Sequence, residues 1–96
     1  MENKKHELLS IKNLGNVMLQ DLFLLNIDTI EKLKEETNLS LYLKLSNLKN
    51  KMQSTKVFDA CTAIIHEAKT GEKKDLKIYQ KLRIIDMKNN LQDQDS

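Results

Sequence analysis

Residues 10–17 have the composition of a backbone site for anions. An apolar segment is followed by a short turn containing Gly15, and then by a second helix-forming segment. A glycine–apolar–glycine turn between two helices exposes backbone N–H groups, which attract phosphate together with the N-terminus of the second helix. Asn13, Leu14 and Gly15 occupy these three places, and asparagine tolerates a left-handed backbone. The same residues also suit an ordinary turn, so both interpretations stay open.

Lysines supply charge for such a site. The net charge of +2 is too small to indicate nucleic-acid binding by itself. However, residues 44–56 hold four lysines and no acidic residue, and residues 69–83 hold six basic and two acidic residues. If the fold brings these two basic segments beside Gly15, they form a phosphate-binding face. If the fold scatters them, they are solvated helix faces.

These features predict a small, non-enzymatic module that binds duplex DNA weakly and without sequence specificity, because phosphate contacts position a protein but do not read bases. We expect the affinity to fall steeply with salt. No aromatic residues alternate with the lysines, so stacking on single strands is not predicted. The predicted DNA-binding residues are Lys12, Asn13, Gly15, Asn16, Val17, Lys49 and Lys51.

The alternative is a helical protein-interaction or homodimerisation module in which the turn is purely structural. Residues 19–25 and 39–45 hold more apolar positions than one buried stripe requires. Candidate residues for the exposed apolar face are Phe23, Leu24, Leu41 and Tyr42. The two functions differ in one simple observable, which is the dependence of binding on salt.

Catalysis and metal binding have little support in the sequence. Cys61 lies on the apolar stripe of a helix, where a buried thiol is expected rather than a nucleophile. His66 is five residues further on and faces another direction, and His6 lies near the N-terminus. This spacing matches no zinc pattern. We therefore expect no enzyme activity, no cofactor and no metal.

Composition favours one all-α domain in the cytoplasm. Apolar residues make up 40% of the 96 residues, which is enough for one small core. The chain has two glycines and no proline, which favours helices over a turn-rich β fold. The single cysteine excludes an internal disulfide and suits a reducing compartment. We see no signal peptide and no apolar run that would span a membrane.

Periodicity and capping residues predict six helical segments at about residues 2–11, 16–25, 29–36, 39–49, 55–69 and 74–88. The expected N-caps are Asp28 or Thr29 for the third segment, Asn38 for the fourth and Ser54 or Thr55 for the fifth, and Gly71 is the expected stop after the fifth. They form one domain over residues 1–88, followed by a polar, disordered tail over residues 89–96. Residues 39–45 alternate leucine with polar residues as a strand would, but a single strand has no partner, so we expect a helix. The expected core residues are Leu14, Met18, Leu22, Ile27, Leu33, Leu45, Phe58, Cys61, Ile64, Ile65 and Leu82.

A longer pattern runs from the turn towards the C-terminus. Its residues are Asn13, Leu14, Gly15, Asp21, Leu22, Ile27, Leu33, Leu41, Tyr42, Val57, Phe58, Asp59, Ala63, Gly71, Glu72 and Arg83. The pattern resembles the bacterial pathogenicity-locus family of small helix-hairpin-helix proteins over about residues 9–83, and its start is similar to the TfoX C-terminal domain. The resemblance implies five or six helices with an N-terminal helix-hairpin-helix. Val17 stands where DNA-binding hairpins commonly have a basic residue, which removes one phosphate contact.

Overall fold

The computed structural model describes the backbone of residues 7–95 and the side chains of residues 7–88. A short 3₁₀ turn at Glu7–Ser10 precedes five α-helices. These are α1 (Asn16–Leu24), α2 (Ile30–Lys34), α3 (Asn38–Lys49), α4 (Thr55–Thr70) and α5 (Leu76–Asp95). Because the described residues contain helices and no strand, the prediction of an all-α domain is confirmed.

Local capping explains most helix boundaries. The Thr29 and Ser54 hydroxyls accept hydrogen bonds from backbone N–H groups in the first turns of α2 and α4. α4 ends at Gly71, whose φ of 81° is left-handed, as the sequence predicts. Within residues 7–95, the other residues with positive φ are all asparagines, at positions 13, 26 and 50. Asparagine adopts this conformation more readily than other non-glycine residues, so it replaces glycine at these turns.

Helix α3 begins with a capping box, not with the predicted cap at Asn38. The Thr37 hydroxyl accepts from the Ser40 N–H at 3.0 Å, and the Ser40 hydroxyl accepts from the Thr37 N–H at 2.9 Å. Thr37 satisfies the first turn, so Asn38 instead donates to the Thr62 hydroxyl in α4 at 3.0 Å. The prediction that Asn38 caps this helix is therefore wrong.

The ends of the chain differ from the predicted segments. Residues 2–6 of the expected first helix lie outside the described part, and residues 7–10 form the 3₁₀ turn. Helix α2 is shorter than predicted, because it ends at Lys34. Helix α5 begins at Leu76 and extends to Asp95. The side chains of the expected polar tail at residues 89–96 lie outside the described part.

Helix α4 is the centre of the core, and α2, α3 and α5 all pack against it. The buried apolar residues are Leu8, Ile11, Leu14, Leu19, Leu22, Ile27, Leu33, Leu41, Leu45, Cys61, Ala63, Ile64, Ile65 and Tyr79. This set includes eight predicted core residues. Met18 and Phe58 are half-buried at its edge. Leu82 is 54% exposed, so its predicted place in the core is wrong.

A buried ion pair explains why Leu82 faces outward. Asp59 in α4 is almost fully buried, and it accepts hydrogen bonds from Arg83 Nε at 2.8 Å and from a terminal guanidinium nitrogen at 3.2 Å. With Tyr79 also buried, α5 presents the face containing Tyr79 and Arg83 to α4. Leu82 lies about 100° around the helix from Arg83, and therefore turns away from the core.

Candidate functional site

In the turn before α1, the first position of the predicted anion site has a left-handed backbone, whereas the third position does not. Asn13 has a φ of 74°, so it takes the left-handed conformation. Leu14 is buried and anchors the turn in the core. Gly15 is extended, with a φ of −99°, and a Cβ there would meet no atom within 4 Å. The fold therefore imposes no requirement for glycine at position 15, although the missing side chain leaves the start of α1 open.

Long-range hydrogen bonds hold this turn against the C-terminal end of α4. Glu67 accepts from the Lys12 backbone N–H at 2.9 Å and from Lys73 Nζ at 2.6 Å. Lys73 Nζ also donates to the Ser10 carbonyl at 2.7 Å. Sequence reasoning missed Glu67. The sequence feature that could have identified it is a carboxylate near the C-terminus of a helix. The helix dipole disfavours negative charge there, so such a carboxylate needs a specific partner.

Replacement of Asn13 tests how the turn is stabilised. Its side-chain amide donates to the Lys74 carbonyl at 3.0 Å. We expect Asn13→Ala to cost about 2 kcal/mol of unfolding free energy, because the hydrogen bond is lost and alanine resists the left-handed backbone. Asn13→Gly loses only the hydrogen bond and is expected to cost about 1 kcal/mol or less. Urea unfolding compares the two variants, and equal losses would show that the backbone conformation contributes nothing.

The start of α1 opens into a groove of about 660 Å³. Its walls come from the start of α1, the end of α3, the following loop and the first turn of α4. The lining includes Gly15, Asn16, Val17, Asp21, Lys49 and Lys56. The cap residue Gly15 offers no side-chain acceptor to the first N–H groups of α1, and Val17 is 70% exposed. These N–H groups have no partner within the helix.

A second groove, of about 450 Å³, lies between α4 and α5. Lys56, Lys77 and Arg83 are among its lining residues. Lys56 lines both grooves, which are therefore neighbours on the surface. The fold thus places Lys49 and Lys56, from the first basic segment, and Lys77, from the second, in the linings of two neighbouring grooves, one of which includes Gly15.

The predicted site residues are only partly brought together. Gly15, Asn16, Val17 and Lys49 line the first groove. Lys12 instead points towards the loop between α4 and α5, where its ammonium lies 3.2 Å from Asp75. The remaining two residues, Asn13 and Lys51, lie in the turn before α1 and in the loop after α3 and are not among the groove-lining residues. Sequence analysis did not select Lys56 or Lys77 individually, because only the fold places them together.

Electrostatics divides the lysines of this surface into two kinds. Lys49 Nζ lies 3.1 Å from Asp21, whose side chain is only 15% exposed, so part of its charge is balanced. Lys56 and Lys77 form no ion pair within the described part of the chain. Their charges are therefore the ones most available to an external anion.

The residues with catalytic potential are in structural environments. Cys61 is fully buried, and burial raises the pKa of its thiol to about 12. The His66 ring lies 2.7 Å from Glu72 at the surface, and this hydrogen bond is the main cause that lowers the pKa of Glu72. Burial, with smaller contributions from Glu72 and Glu67, raises the pKa of Tyr79. Among the described side chains, no group of three or more acidic, histidine or cysteine residues could hold a metal ion.

The apolar face expected in the alternative interpretation is not continuous. Leu41 is fully buried, so its predicted exposure is wrong. Tyr42 is half-buried, donates its hydroxyl to the Gln53 carbonyl and packs edge-on against Phe58 with ring centroids 5.5 Å apart. Phe23 and Leu24 are exposed, at 42% and 71%. Only two of the four residues are thus available at the surface of the helices.

Comparison with known proteins gives one match. The family model described as Cdd1, pathogenicity locus, matches residues 1–83. No curated protein and no solved structure matches the chain. None of the helices within the described residues has the length and apolar character needed to cross a membrane.

Proposed function

The chain belongs to the pathogenicity-locus family, and we propose that it is a small, non-enzymatic module that binds the phosphate backbone of duplex DNA without sequence specificity. The proposed contact region is the basic surface formed by Gly15, Asn16, Val17, Lys49, Lys56 and Lys77. One observation carries the proposal: Lys56 lines both the groove at the start of α1 and the groove between α4 and α5. The proposed compartment is the cytoplasm, which suits a chain with one reduced thiol.

In this function the 3₁₀ turn, residues 11–15 and α1 act as a helix-hairpin-helix, similar to that of the TfoX C-terminal domain. Asn13 has the left-handed backbone of the first hairpin glycine, and Leu14 supplies the buried apolar anchor. Gly15 leaves room for close approach of a phosphate to the N–H groups of Asn16 and Val17. The positive end of the α1 dipole adds to this attraction.

The lysines add positive charge beside the backbone N–H groups that would contact the phosphate. Lys56 and Lys77 are free of intramolecular ion pairs within the described residues, so they can meet phosphate without first losing a carboxylate. To contact a phosphate, Lys49 must either give up its ion pair with Asp21 or contact both anions at once. Neither groove has an aromatic lining residue, which favours a duplex over stacked single-stranded bases.

Fluorescence anisotropy of a labelled short duplex tests this function directly. With three or four phosphate contacts, the affinity is expected to fall by about 40- to 150-fold between about 50 and about 200 mM salt, from a slope near −0.9 per contact. Two duplexes of unrelated sequence should bind equally. If no binding occurs at the lower salt, or if the affinity is independent of salt, the proposed function is wrong.

Lys56→Ala locates the contact on the protein. We expect the variant to bind DNA more weakly and to reduce the slope of the log–log salt plot by about 0.9, the value for one phosphate contact. Lys69→Ala is the matched control, because Lys69 is exposed at the opposite end of α4 and lines a different groove. Equal effects of the two variants would place the DNA contact elsewhere.

A further inference from the structure

Helix α5 carries an apolar stripe that the domain does not cover. Ile78, Leu82 and Ile85 are 41%, 54% and 54% exposed. They are spaced by four and then three residues, so they lie on one side of the helix, about a third of a turn or more from Arg83. Alternating spacings of four and three are typical of the seam between two paired helices. The stripe therefore has the pattern of a helix-pairing surface.

We propose that a second copy of this chain covers the stripe, with the two α5 helices parallel and in register. The α-helix continues beyond the stripe to Asp95, which gives it 20 residues and a length of about 30 Å. In heptad terms, Leu82 is an a position between the d positions Ile78 and Ile85. A symmetric pair of helices then buries the same three side chains from each copy.

Charges beside the stripe identify the partner as a second copy and set its orientation. Lys81 lies on one side of the stripe, at a g position, and Asp86 lies on the other side, at an e position. In a parallel pair, a g residue meets the e residue five positions later on the other helix. Lys81 of each copy therefore meets Asp86 of the other, which gives two equivalent ion pairs.

An antiparallel arrangement would place like charges together. Residues at g would then face g and residues at e would face e, so Lys81 would meet Lys81 and Asp86 would meet Asp86. Both side chains are exposed, and neither forms an ion pair within the described part of its own chain. The charges are thus complementary for the parallel arrangement only.

The proposed pairing is independent of DNA binding. Lys77 and Gln80 line the groove on one flank of the α4–α5 contact, whereas Leu82 lies on the other flank and lines a different groove. Self-association therefore leaves the basic surface open. It can be measured without DNA, so its failure would not affect the proposed function.

Sedimentation of the full chain tests the pairing. The measured mass is expected to rise from 11.2 kDa towards twice that value between about 10 µM and about 1 mM, as mass action requires. Leu82→Gln should raise the dimer dissociation constant by roughly a hundredfold, because each copy loses a buried leucine. Leu39→Gln is the matched control, because Leu39 in α3 is also 54% exposed. It should leave the dissociation constant unchanged.

Charge reversal tests the parallel orientation. Lys81→Glu should weaken the dimer by about tenfold, because both ion pairs become repulsive, and Asp86→Lys should do the same. The double variant Lys81→Glu with Asp86→Lys should restore the wild-type dissociation constant. If the double variant does not recover the wild-type dissociation constant, the parallel pairing is wrong. Both substitutions are at exposed residues, so they leave the core unchanged.

Two other results would overturn the proposal as a whole. One is a chain that remains monomeric throughout the concentration range, which would leave the stripe to a different occupant. The other is a dimer that Leu82→Gln and Leu39→Gln weaken equally, which would place the interface elsewhere. If circular dichroism shows that Leu82→Gln unfolds the chain, Ile85→Gln serves in its place, and the charge-reversal series gives an independent decision.

Discussion

Replacement of Arg83 with methionine is expected to lower the free energy of unfolding by about 3–5 kcal/mol, because it leaves a buried carboxylate without a cation. Asp59 lies in α4 with a side chain only 5% exposed, and Arg83 is the chain's single arginine. Two hydrogen bonds, at 2.8 Å and 3.2 Å, join the groups and attach α5 to α4. A loss of this size is a large part of the roughly 5–14 kcal/mol expected for a domain of this length.

Urea unfolding followed by circular dichroism measures this effect. Lys77→Met is the control, because it also removes a cation from α5, but from an exposed side chain outside the proposed dimer contact, and a change within about 0.5 kcal/mol is expected. A second variant separates charge from packing. Arg83→Met combined with Asp59→Leu removes both charges and should recover most of the loss, since apolar residues can replace a buried ion pair. If the single variant resembles the control, the pair does not stabilise the fold.

The same ion pair shows what sequence periodicity could not decide. Two faces of α5 have apolar residues: one contains Leu76 and Tyr79, and the other contains Ile78 and Leu82. Counting apolar positions favours the second face, which is why Leu82 was predicted to be in the core. The structure buries the first face because Asp59 requires a cation, and Arg83 lies beside Tyr79 on that face. A long-range polar contact thus decides the orientation of α5.

Features encoded locally were predictable. The sequence narrowed each of the caps of α2 and α4 to two neighbouring residues, of which the structure uses Thr29 and Ser54. These caps and the stop at Gly71 depend only on neighbours in the chain, and α4 begins and ends close to its predicted bounds. The left-handed backbone of Asn13 also followed from its residue type. The candidate site was harder to predict, because the basic surface depends on the meeting of three helices. Lys56 could not be singled out from the sequence, because its place in the linings of both grooves depends on the fold.

The leucines of α3 allow a second large effect to be tested. Leu39, Leu41, Leu43 and Leu45 alternate with polar residues, and as a strand they would all lie on one face. In the helix, Leu41 and Leu45 are buried, at 0% and 2% exposure, whereas Leu39 and Leu43 are 54% and 44% exposed. Helical spacing therefore separates four similar residues into two pairs with different environments.

Leu41→Ala is expected to cost about 2–5 kcal/mol of unfolding free energy, because it removes a fully buried side chain and leaves a cavity. Leu39→Ala is the matched control and should stay within about 0.5 kcal/mol, since its side chain is largely solvated and alanine favours a helix. Thermal and urea unfolding measure both variants, and sedimentation measures their self-association. Equal losses of stability would contradict the helical assignment of this segment. A Leu41→Ala variant that is stable but associates less would instead indicate that Leu41 lies on an interaction surface, as the alternative function predicts.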